Sequence, residues 1–184
     1  ANFWAFTDHK SETWEIKPAY DKFKDNRRNS RIQKIMPHKY IKSEYSIYMD
    51  ANVELLVPPQ KLIDEFLKDR DIAVFKHQGR DDIYQERDAI IYYGKEGRDI
   101  LFEQTNEYAD RGILDHSGLS ECGVIIRRHS QQMNDLCEGW WAEYCRYGCR
   151  DQMSFPIAFP NYLVNQINGS VYTHPYFKYI NHKQ

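Results

Sequence analysis

The chain has 184 residues, of which 41% are hydrophobic and 28% are charged, and its formal net charge at pH 7 is −2. This length and composition are typical of one globular domain with a full core. The net charge lacks the basic excess of nucleic-acid-binding proteins, and no apolar run is long enough to span a bilayer. The sequence therefore argues against a nucleic-acid partner and against a membrane segment in this chain.

Two short apolar segments open the chain. The segment 3–8 predicts a buried strand that ends in the polar residues Thr7 and Asp8, and 14–17 predicts a shorter strand before a proline. Because the chain begins inside an apolar strand with no preceding turn, we expect a further strand upstream. The strand at 3–8 is therefore predicted to be part of a larger sheet.

A helix is predicted next, over residues 31–40. Ser30 is a candidate N-cap for it, and Pro37 is expected to kink or shorten it. Arg31 and Lys34 share one face of this helix. They fit either a site for a diphosphate, which such donors bind well, or an ordinary solvated basic face.

The segment 44–52 is the most informative stretch of the sequence. It predicts a strand of β-branched and aromatic residues that runs directly into Asp50, Ala51 and Asn52. Carboxylate and amide oxygens two residues apart fit a hard divalent cation such as Mg²⁺ or Mn²⁺. The alternative is a strand that ends in an Asx turn, with no ligand.

A second strand end carries polar residues in the middle of the chain. The strand is predicted over 71–76, after an amphipathic helix that begins beyond Pro58 and Pro59. His77, Arg80 and Glu86 follow it. They either line the same crevice as Asp50 or form a capped surface loop.

Four further elements follow along the chain. They are a helix from Asp81 or Asp82 to Tyr92, a helix over 98–110, a strand over 122–127 and a long helix over 131–147. Asp151 then begins a last short helix, where its carboxylate is either an N-cap or a group that faces a site. Strands that alternate with helices predict an α/β fold, and residues 1–184 read as a single domain.

The cysteines indicate whether the protein occupies a reducing or an oxidising compartment. Cys122, Cys137, Cys145 and Cys149 lie in one part of the chain without the spacing of a zinc site, so they read as thiols. Free thiols favour a reducing compartment, and we expect a cytoplasmic protein in preference to one of the Golgi lumen.

Several short motifs occur in an order that resembles a known family. They are Phe6-Thr7-Asp8, Arg27-Arg28-Asn29, Lys34-Ile35-Met36-Pro37-His38-Lys39, Tyr45 to Asn52, His77-Gln78-Gly79-Arg80 with Glu86, and Arg150 to Phe155. Together they resemble the glycosyltransferase-like family first catalogued as a domain of unknown function. That family includes mucilage and pollen-tube proteins of plants and members in bacteria and large viruses, including those of algae. The resemblance covers nearly the whole chain.

The resemblance implies a GT-A-like three-layer sandwich, with a central, mostly parallel sheet flanked by helices. It also implies a UDP-sugar donor and a divalent metal, Mn²⁺ or Mg²⁺. By analogy, Asp50 and Ala51 would contact the donor, and Thr7 and Asp8 would border the uracil and ribose. Asp50, Asn52 and a histidine near the C-terminus would hold the metal. His182 is the expected ligand, and His174 is the alternative.

The chemistry implied by the resemblance is sugar transfer to a glycan or other hydroxyl acceptor. Lys34 and Arg80 would stabilise the diphosphate leaving group together with the metal. Asp151 is the expected general base of an inverting enzyme; in a retaining enzyme it would position the sugar or acceptor. Two alternatives are a non-catalytic nucleotide- or sugar-binding module with the same fold, and a nucleotidyltransferase or phosphohydrolase. A fusion of this domain to further domains is a further expectation.

Overall fold

A computed structural model describes residues 1–148 and 150–181. The fold is mixed α/β. The strands are β1 (Trp4–Phe6), β2 (Glu15–Lys17), β3 (Tyr45–Met49), β4 (Val53–Leu55), β5 (Ile72–Lys76), β6 (Ser120–Arg128), β7 (Val164–Ile167) and β8 (Phe177–Tyr179). The α-helices are α1 (Asn26–Asn29), α2 (Ile32–Ile35), α3 (Pro59–Leu62), α4 (Ile83–Tyr92), α5 (Arg98–Asp110), α6 (Gln131–Arg146) and α7 (Asp151–Ala158). In the described part of the chain, no helix has both the length and the hydropathy needed to cross a bilayer.

The central sheet has four strands in the order β3-β6-β5-β7. Strand β6 pairs antiparallel with both β3 and β5, while β5 pairs parallel with β7. The prediction of a mostly parallel sheet was therefore wrong. The reason is that two helices, α4 and α5, lie between β5 and β6 in the chain, and only residues 93–97 connect one helix to the other. A helix pair returns the chain to the edge where β5 ended, so the next strand runs the opposite way.

Three strands of the sheet nevertheless share a direction. Because β6 opposes both β3 and β5, and β7 is parallel to β5, the strands β3, β5 and β7 all end at one edge. Strand β6 begins at that edge. The residues just after β3, β5 and β7 therefore meet the first residues of β6, as the ligand site of an open α/β sheet requires.

Side chains pack against both faces of this sheet. On one face, Ile72 and Val74 of β5 contact a cluster that includes Trp140 of α6 and Phe155 of α7. On the other face, the neighbouring residues of β5 contact a cluster built around Phe66. Successive strand residues point to opposite faces, so β5 is buried on both sides. This burial anchors the strand whose end carries part of the site.

The segment that carries Lys34 differs from its prediction. Residues 31–40 form α2 and a 3₁₀ turn at Pro37–Lys39 instead of one helix, and Ser30 is the C-cap of α1, not an N-cap. The side chain of Asp25 caps α1. A residue before proline is pushed away from helical dihedrals, and Met36 has φ −118° and ψ 56°. Pro37 thus ends α2 at Ile35, with Met36 as its C-cap.

Most other predicted elements are confirmed to within a few residues. Strands β1 and β2 form at the predicted positions, but they pair in parallel as a separate two-stranded sheet. The last helix, α7, runs through Pro156 to Ala158 before Pro160. Cys122 and Cys137 are buried free thiols, and Cys149 lies outside the described residues.

Candidate active site

A cleft of about 430 Å³ opens at the edge where β3, β5 and β7 end and β6 begins. Its walls come from α2, from α4 and from the start of α7. The charged residues that line it are Arg31, Lys34, Asp50, Arg80, Glu86, Lys95, Glu121, Arg150 and Asp151. The structure therefore brings together Lys34, Asp50, Arg80 and Asp151, which were predicted from four separate parts of the sequence.

A buried ion-pair cluster forms one wall of the cleft. The Nζ atom of Lys34 lies 2.5 Å from Oδ2 of Asp151, and Nε of Arg31 lies 3.3 Å from Oδ1 of the same carboxylate. The side chains of Lys34 and Asp151 are 3% and 9% exposed. Helix α2 presents the two cations from one turn, and the first residue of α7 presents the carboxylate. The cluster ties these two helices together across the cleft wall.

Charge pairing dominates the ionisation of this cluster. Burial by itself raises the pKa of Asp151, but Lys34 and Arg31 outweigh it and lower that pKa to about 2. Burial likewise disfavours the charged form of Arg31, yet the neighbouring Asp151 raises its pKa. A carboxylate that is already bonded to two cations and has so low a pKa is a weak proton acceptor near neutral pH. The geometry of Asp151 is that of a counter-ion which orients Lys34 and Arg31.

Asp50 lies at the end of β3, as predicted, and its backbone forms a tight turn. Its N–H donates to the carbonyl of Gly123 on β6, and its own carbonyl accepts from the N–H of Val53. The hydroxyl of Tyr48 donates to Oδ1 of Asp50 at 2.7 Å, and Nζ of Lys34 lies 3.8 Å from the same oxygen. Burial raises the pKa of Tyr48, so its hydroxyl stays protonated as a donor.

Oδ2 of Asp50 faces Gly123. A Cβ added at Gly123 would lie 3.4 Å from this oxygen, so glycine leaves that side of the carboxylate open. The Asp50 side chain is 38% exposed and lines the cleft. Such an oxygen can accept a hard cation that keeps water and phosphate oxygens as its other ligands.

The other predicted metal ligands lie along one ribbon. Strands β4 and β8 pair antiparallel, and the N–H of Ile180 donates to the carbonyl of Asn52 at 2.8 Å. Asn52 and the exposed Ala51 form the turn between β3 and β4 and are not among the described residues that line the cleft. The pairing brings the end of the described chain beside Asn52. His182 itself lies outside the described residues.

His174 has a different setting. Its ring packs edge-on against Phe66 and Phe75, and its Nδ1 accepts the N–H of Tyr176. Burial lowers its pKa. These contacts are those of a histidine in an aromatic cluster, so the structure offers no support for it as a ligand beside Asp50.

Arg80 and its neighbours follow β5 as predicted. Nε of Arg80 lies 2.6 Å from Oε2 of the buried Glu86, and one of its terminal nitrogens lies 2.8 Å from Nε2 of His77. The backbone N–H groups of Gly79 and Arg80 both donate to Nδ1 of His77. Burial and the charge of Arg80 lower the pKa of His77, so the imidazole is neutral at physiological pH. This network positions the Arg80 guanidinium at the cleft.

Thr7 and Asp8 are not brought to the cleft lining. They follow β1 in the separate two-stranded sheet, and the exposed Asp8 lies 3.7 Å from the side chain of His9. The hydroxyl of Thr7 accepts the N–H of His9. Their predicted contacts with uracil and ribose stay predictions from the resemblance.

Glu121 is a site residue that local patterns indicate only weakly, because a carboxylate just before a strand is more often an ordinary loop residue than a sugar contact. It lies near the start of β6, where the pairing with β5 shifts: Val74 is opposite Ile125, but the next residue, Phe75, is opposite Glu121. The residues between them bulge out of this pairing, and Cys122 and Gly123 line the cleft with Glu121. Bulges re-aim side chains beside active sites. No pattern of residues in the sequence predicts the bulge between β5 and β6.

A group of three possible metal ligands occurs elsewhere in the described part of the chain. Oxygen or nitrogen atoms of Asp81, Asp82 and His116 lie within 4.8 Å of one another. Local structure accounts for them, because Asp82 caps α4 through the N–H of Gln85, and Asp81 pairs with His116. These residues do not include Asp50.

Comparison with known proteins gives a consistent family. Residues 9–180 match the family described as TOD1/MUCI70, glycosyltransferase-like domain. The chain is 29% identical over 144 residues to "Probable hexosyltransferase MUCI70" of Arabidopsis thaliana, covering 72% of this chain and 25% of that protein. It is 27% identical over 158 residues to "Alkaline ceramidase TOD1" of the same plant, covering 79% of this chain and 32% of that protein.

The chain thus spans between a quarter and a third of the length of these curated relatives. No solved structure matches it significantly. The family match extends over nearly all of the chain and includes every residue described above as lining the cleft. By that match, this chain belongs to the TOD1/MUCI70 family of glycosyltransferase-like domains.

Proposed function

We propose that this chain is a metal-dependent glycosyltransferase that moves a sugar from a UDP-sugar to a hydroxyl group of a glycan acceptor. One observation carries the proposal: in a glycosyltransferase-like domain, Lys34 and Arg31 lie beside Asp50 at the edge where three strands end. Two cations next to an open carboxylate suit a diphosphate bound together with a divalent ion.

The charge of the cleft supports an anionic donor. Its lining has five cationic side chains against four carboxylates, a net charge of +1, although the whole chain carries −2. Cations concentrated in a cleft focus the local field on an anionic ligand. A ceramide, the substrate class in the name of the second relative, has no anionic group, so the cleft favours the transferase.

Asp50 is the described residue best suited to hold Mn²⁺ or Mg²⁺, with Asn52 and His182 as the further ligands expected from the resemblance. The open Oδ2 of Asp50 and the pairing of Asn52 with Ile180, two residues before His182, fit that set. When bound, the metal supplies charge stabilisation for a diphosphate leaving group.

The protein's own side chains account for the rest of the proposed chemistry. Lys34, Arg31 and Arg80 would bind the phosphate oxygens and offset the charge that develops as the bond from sugar to phosphate breaks. Asp151 keeps Lys34 and Arg31 directed at the cleft, and its role as general base stays a prediction from the sequence. Thr7 and Asp8 are proposed to border the nucleoside.

The same proposal includes a GT-A-like arrangement. Packing on both faces of the central sheet and a site at the shared strand edge are its support. We further propose a cytoplasmic protein whose domain acts on its own or joined to other domains. The buried free thiols of Cys122 and Cys137 favour a reducing compartment.

UDP titration by calorimetry, with and without Mn²⁺, tests the site. We expect Mn²⁺ to strengthen UDP binding to the wild type and to have no effect on Asp50→Ala. The matched control is Glu138→Ala, because it removes an exposed carboxylate that is not among the residues lining the cleft. If Mn²⁺ makes no difference to the wild type, or if Asp50→Ala binds like the wild type, the proposed metal site is wrong.

A screen of nucleotide-sugar donors in Mn²⁺ separates the enzyme from a binding module. We expect UDP to be released from one donor, and faster with a sugar acceptor present. A module would bind UDP without hydrolysing or transferring any donor. That result would leave the site intact and refute the transferase.

A further inference from the structure

We propose that Glu121 is the group that accepts the proton of the acceptor hydroxyl during sugar transfer. This inference rests on the proposed function, because it assigns a step of the same reaction. It gives the role of general base to a carboxylate on β6 in place of Asp151 on α7.

The position of Glu121 is built into the sheet. The shift in pairing between β5 and β6 turns three consecutive residues, Glu121, Cys122 and Gly123, toward the cleft. Gly123 is the residue whose missing side chain leaves Oδ2 of Asp50 open. Glu121 therefore lies on the same short segment as the wall of the proposed metal site, close to where the reacting sugar would be held.

The Glu121 carboxylate accepts hydrogen bonds from the loop that follows β7. The buried hydroxyl of Ser170 donates to both of its oxygens, at 2.9 and 3.2 Å, and the N–H of Val171 supplies a further hydrogen bond. An ionised carboxylate accepts about four hydrogen bonds, so it has capacity left for a substrate hydroxyl. Ser170 and Val171 follow β7, so a third strand end orients the group.

The pKa values of the two candidate carboxyl groups are shifted in opposite directions. Burial raises the pKa of Glu121, and the bonds from Ser170 and Val171 and the charge of Arg80 offset this only in part. The pKa of Asp151 instead falls to about 2 beside Lys34 and Arg31. Environments that push two carboxyl pKa values apart separate the proton acceptor from the fixed counter-ion. A base whose pKa lies nearer neutrality takes a proton more readily.

The step balances as a single displacement. The acceptor oxygen forms a bond to the anomeric carbon, and its proton passes to an oxygen of Glu121. The bond from the anomeric carbon to the diphosphate oxygen breaks, and its electron pair leaves with the diphosphate beside Lys34 and Arg31. Glu121 then releases the proton to solvent.

Glu121→Gln, Asp151→Asn and the surface control Glu138→Gln distinguish the alternatives. The readouts are UDP release from the donor found in the screen and UDP affinity by calorimetry. For Glu121→Gln we expect turnover to fall by about 10²- to 10⁴-fold, with UDP affinity within about threefold of the wild type. Turnover within about threefold of the wild type would overturn the assignment.

Azide provides a second readout, because it attacks the anomeric carbon without losing a proton. We expect added sodium azide to restore turnover in Glu121→Gln and to yield a glycosyl azide, with no comparable gain in Asp151→Asn. Azide rescue of Asp151→Asn alone would return the role of base to Asp151. An inactive wild type would refute the proposed function itself, and the assignment of Glu121 with it.

The pH profile tests the contacts around the group. Ser170 lowers the pKa of Glu121, so Ser170→Ala should raise it and move the acid limb of the turnover profile to higher pH. Among the described residues, the other ionisable side chains that interact with Glu121 are those of Arg80 and Tyr172. Neither residue type titrates in the acid range, so neither is expected to produce the acid limb. If the acid limb of the turnover profile has the same midpoint in Ser170→Ala as in the wild type, the limb is due to the ionisation of a group other than Glu121.

Discussion

Replacing Asp151 with Asn tests how much the buried ion pairs contribute to the free energy of unfolding. Asparagine keeps the shape of the side chain and removes its charge. Lys34, whose side chain is 3% exposed, then loses the carboxylate 2.5 Å away. Breaking a buried pair by removing one partner costs about 3–5 kcal/mol, because the remaining charge stays buried without compensation.

The ionisation of Asp151 gives an independent value. Its pKa falls from 3.8 to about 2 on folding, which corresponds to about 2 kcal/mol at roughly 1.4 kcal/mol for each tenfold change. A lowered carboxyl pKa stabilises the folded state above the unfolded pKa. That stabilisation is lost as the pH falls through about 4 toward about 2, because the folded carboxylate must then take up a proton. We therefore expect Asp151→Asn to cost about 2–5 kcal/mol near neutral pH.

Urea unfolding measured near neutral pH and again at acid pH checks both values. The matched control is Glu138→Gln, which removes an exposed carboxylate 2.6 Å from Lys39 and should have little effect on the free energy of unfolding, because exposed ion pairs are screened by solvent. The difference between wild type and Asp151→Asn should shrink as the pH falls, since the wild type then loses the same charge. A cost no larger than that of Glu138→Gln, or a difference that does not change with pH, would refute the reasoning.

Two further predictions concern the strand-end edge. Tyr48→Phe removes the donor to Oδ1 of Asp50 and should weaken Mn²⁺-dependent UDP binding about 10-fold or more, as expected for loss of a group that orients a metal ligand. Calorimetry compares this variant with Tyr92→Phe, which changes an exposed tyrosine. Equal effects of the two substitutions on UDP binding would contradict the prediction. Burial raises the pKa of the Cys122 thiol, so a thiol reagent at neutral pH should label Cys122 much more slowly in the folded protein than in denaturant. Peptide mass spectrometry measures both rates, and prompt labelling of Cys122 in the folded protein would contradict the prediction.

Local sequence patterns predicted much of the candidate site. Asp50 was selected because an aromatic and β-branched strand runs into an acid, and the strand and its end are where the pattern placed them. Arg80 and Asp151 were selected at the end of a strand and the start of a helix, and both line the cleft. These predictions needed only neighbours in sequence, because strand ends and helix starts are determined by short-range periodicity and capping.

What depended on long-range pairing was not predicted. Strand alternation suggested parallel neighbours, but the α4–α5 pair reverses β6, and that reversal places Glu121 at the same edge as Asp50. The bulge that turns Glu121 toward the cleft depends on how β5 and β6 align, which no run of residues in β6 reveals. Asp151 was predicted as a base because sequence cannot show that Lys34 and Arg31, more than a hundred residues earlier, neutralise it.

The charge of the cleft connects the ion-pair cluster to the proposed metal. Asp151 occupies donors of Lys34 and Arg31, so these cations only partly compensate a diphosphate that binds beside them. The lining has a net charge of +1. This is smaller in magnitude than the negative charge of a nucleoside diphosphate, so the lining alone does not neutralise it. A divalent ion at Asp50 would supply the missing positive charge, and Lys34, 3.8 Å from that carboxylate, would then face the same phosphate oxygens. In the proposed function, the need for a divalent ion would thus arise from the pairing of Asp151 with Lys34 and Arg31 as well as from Asp50 as a metal ligand, so weakening the Asp151 pairing should make UDP binding less dependent on the metal.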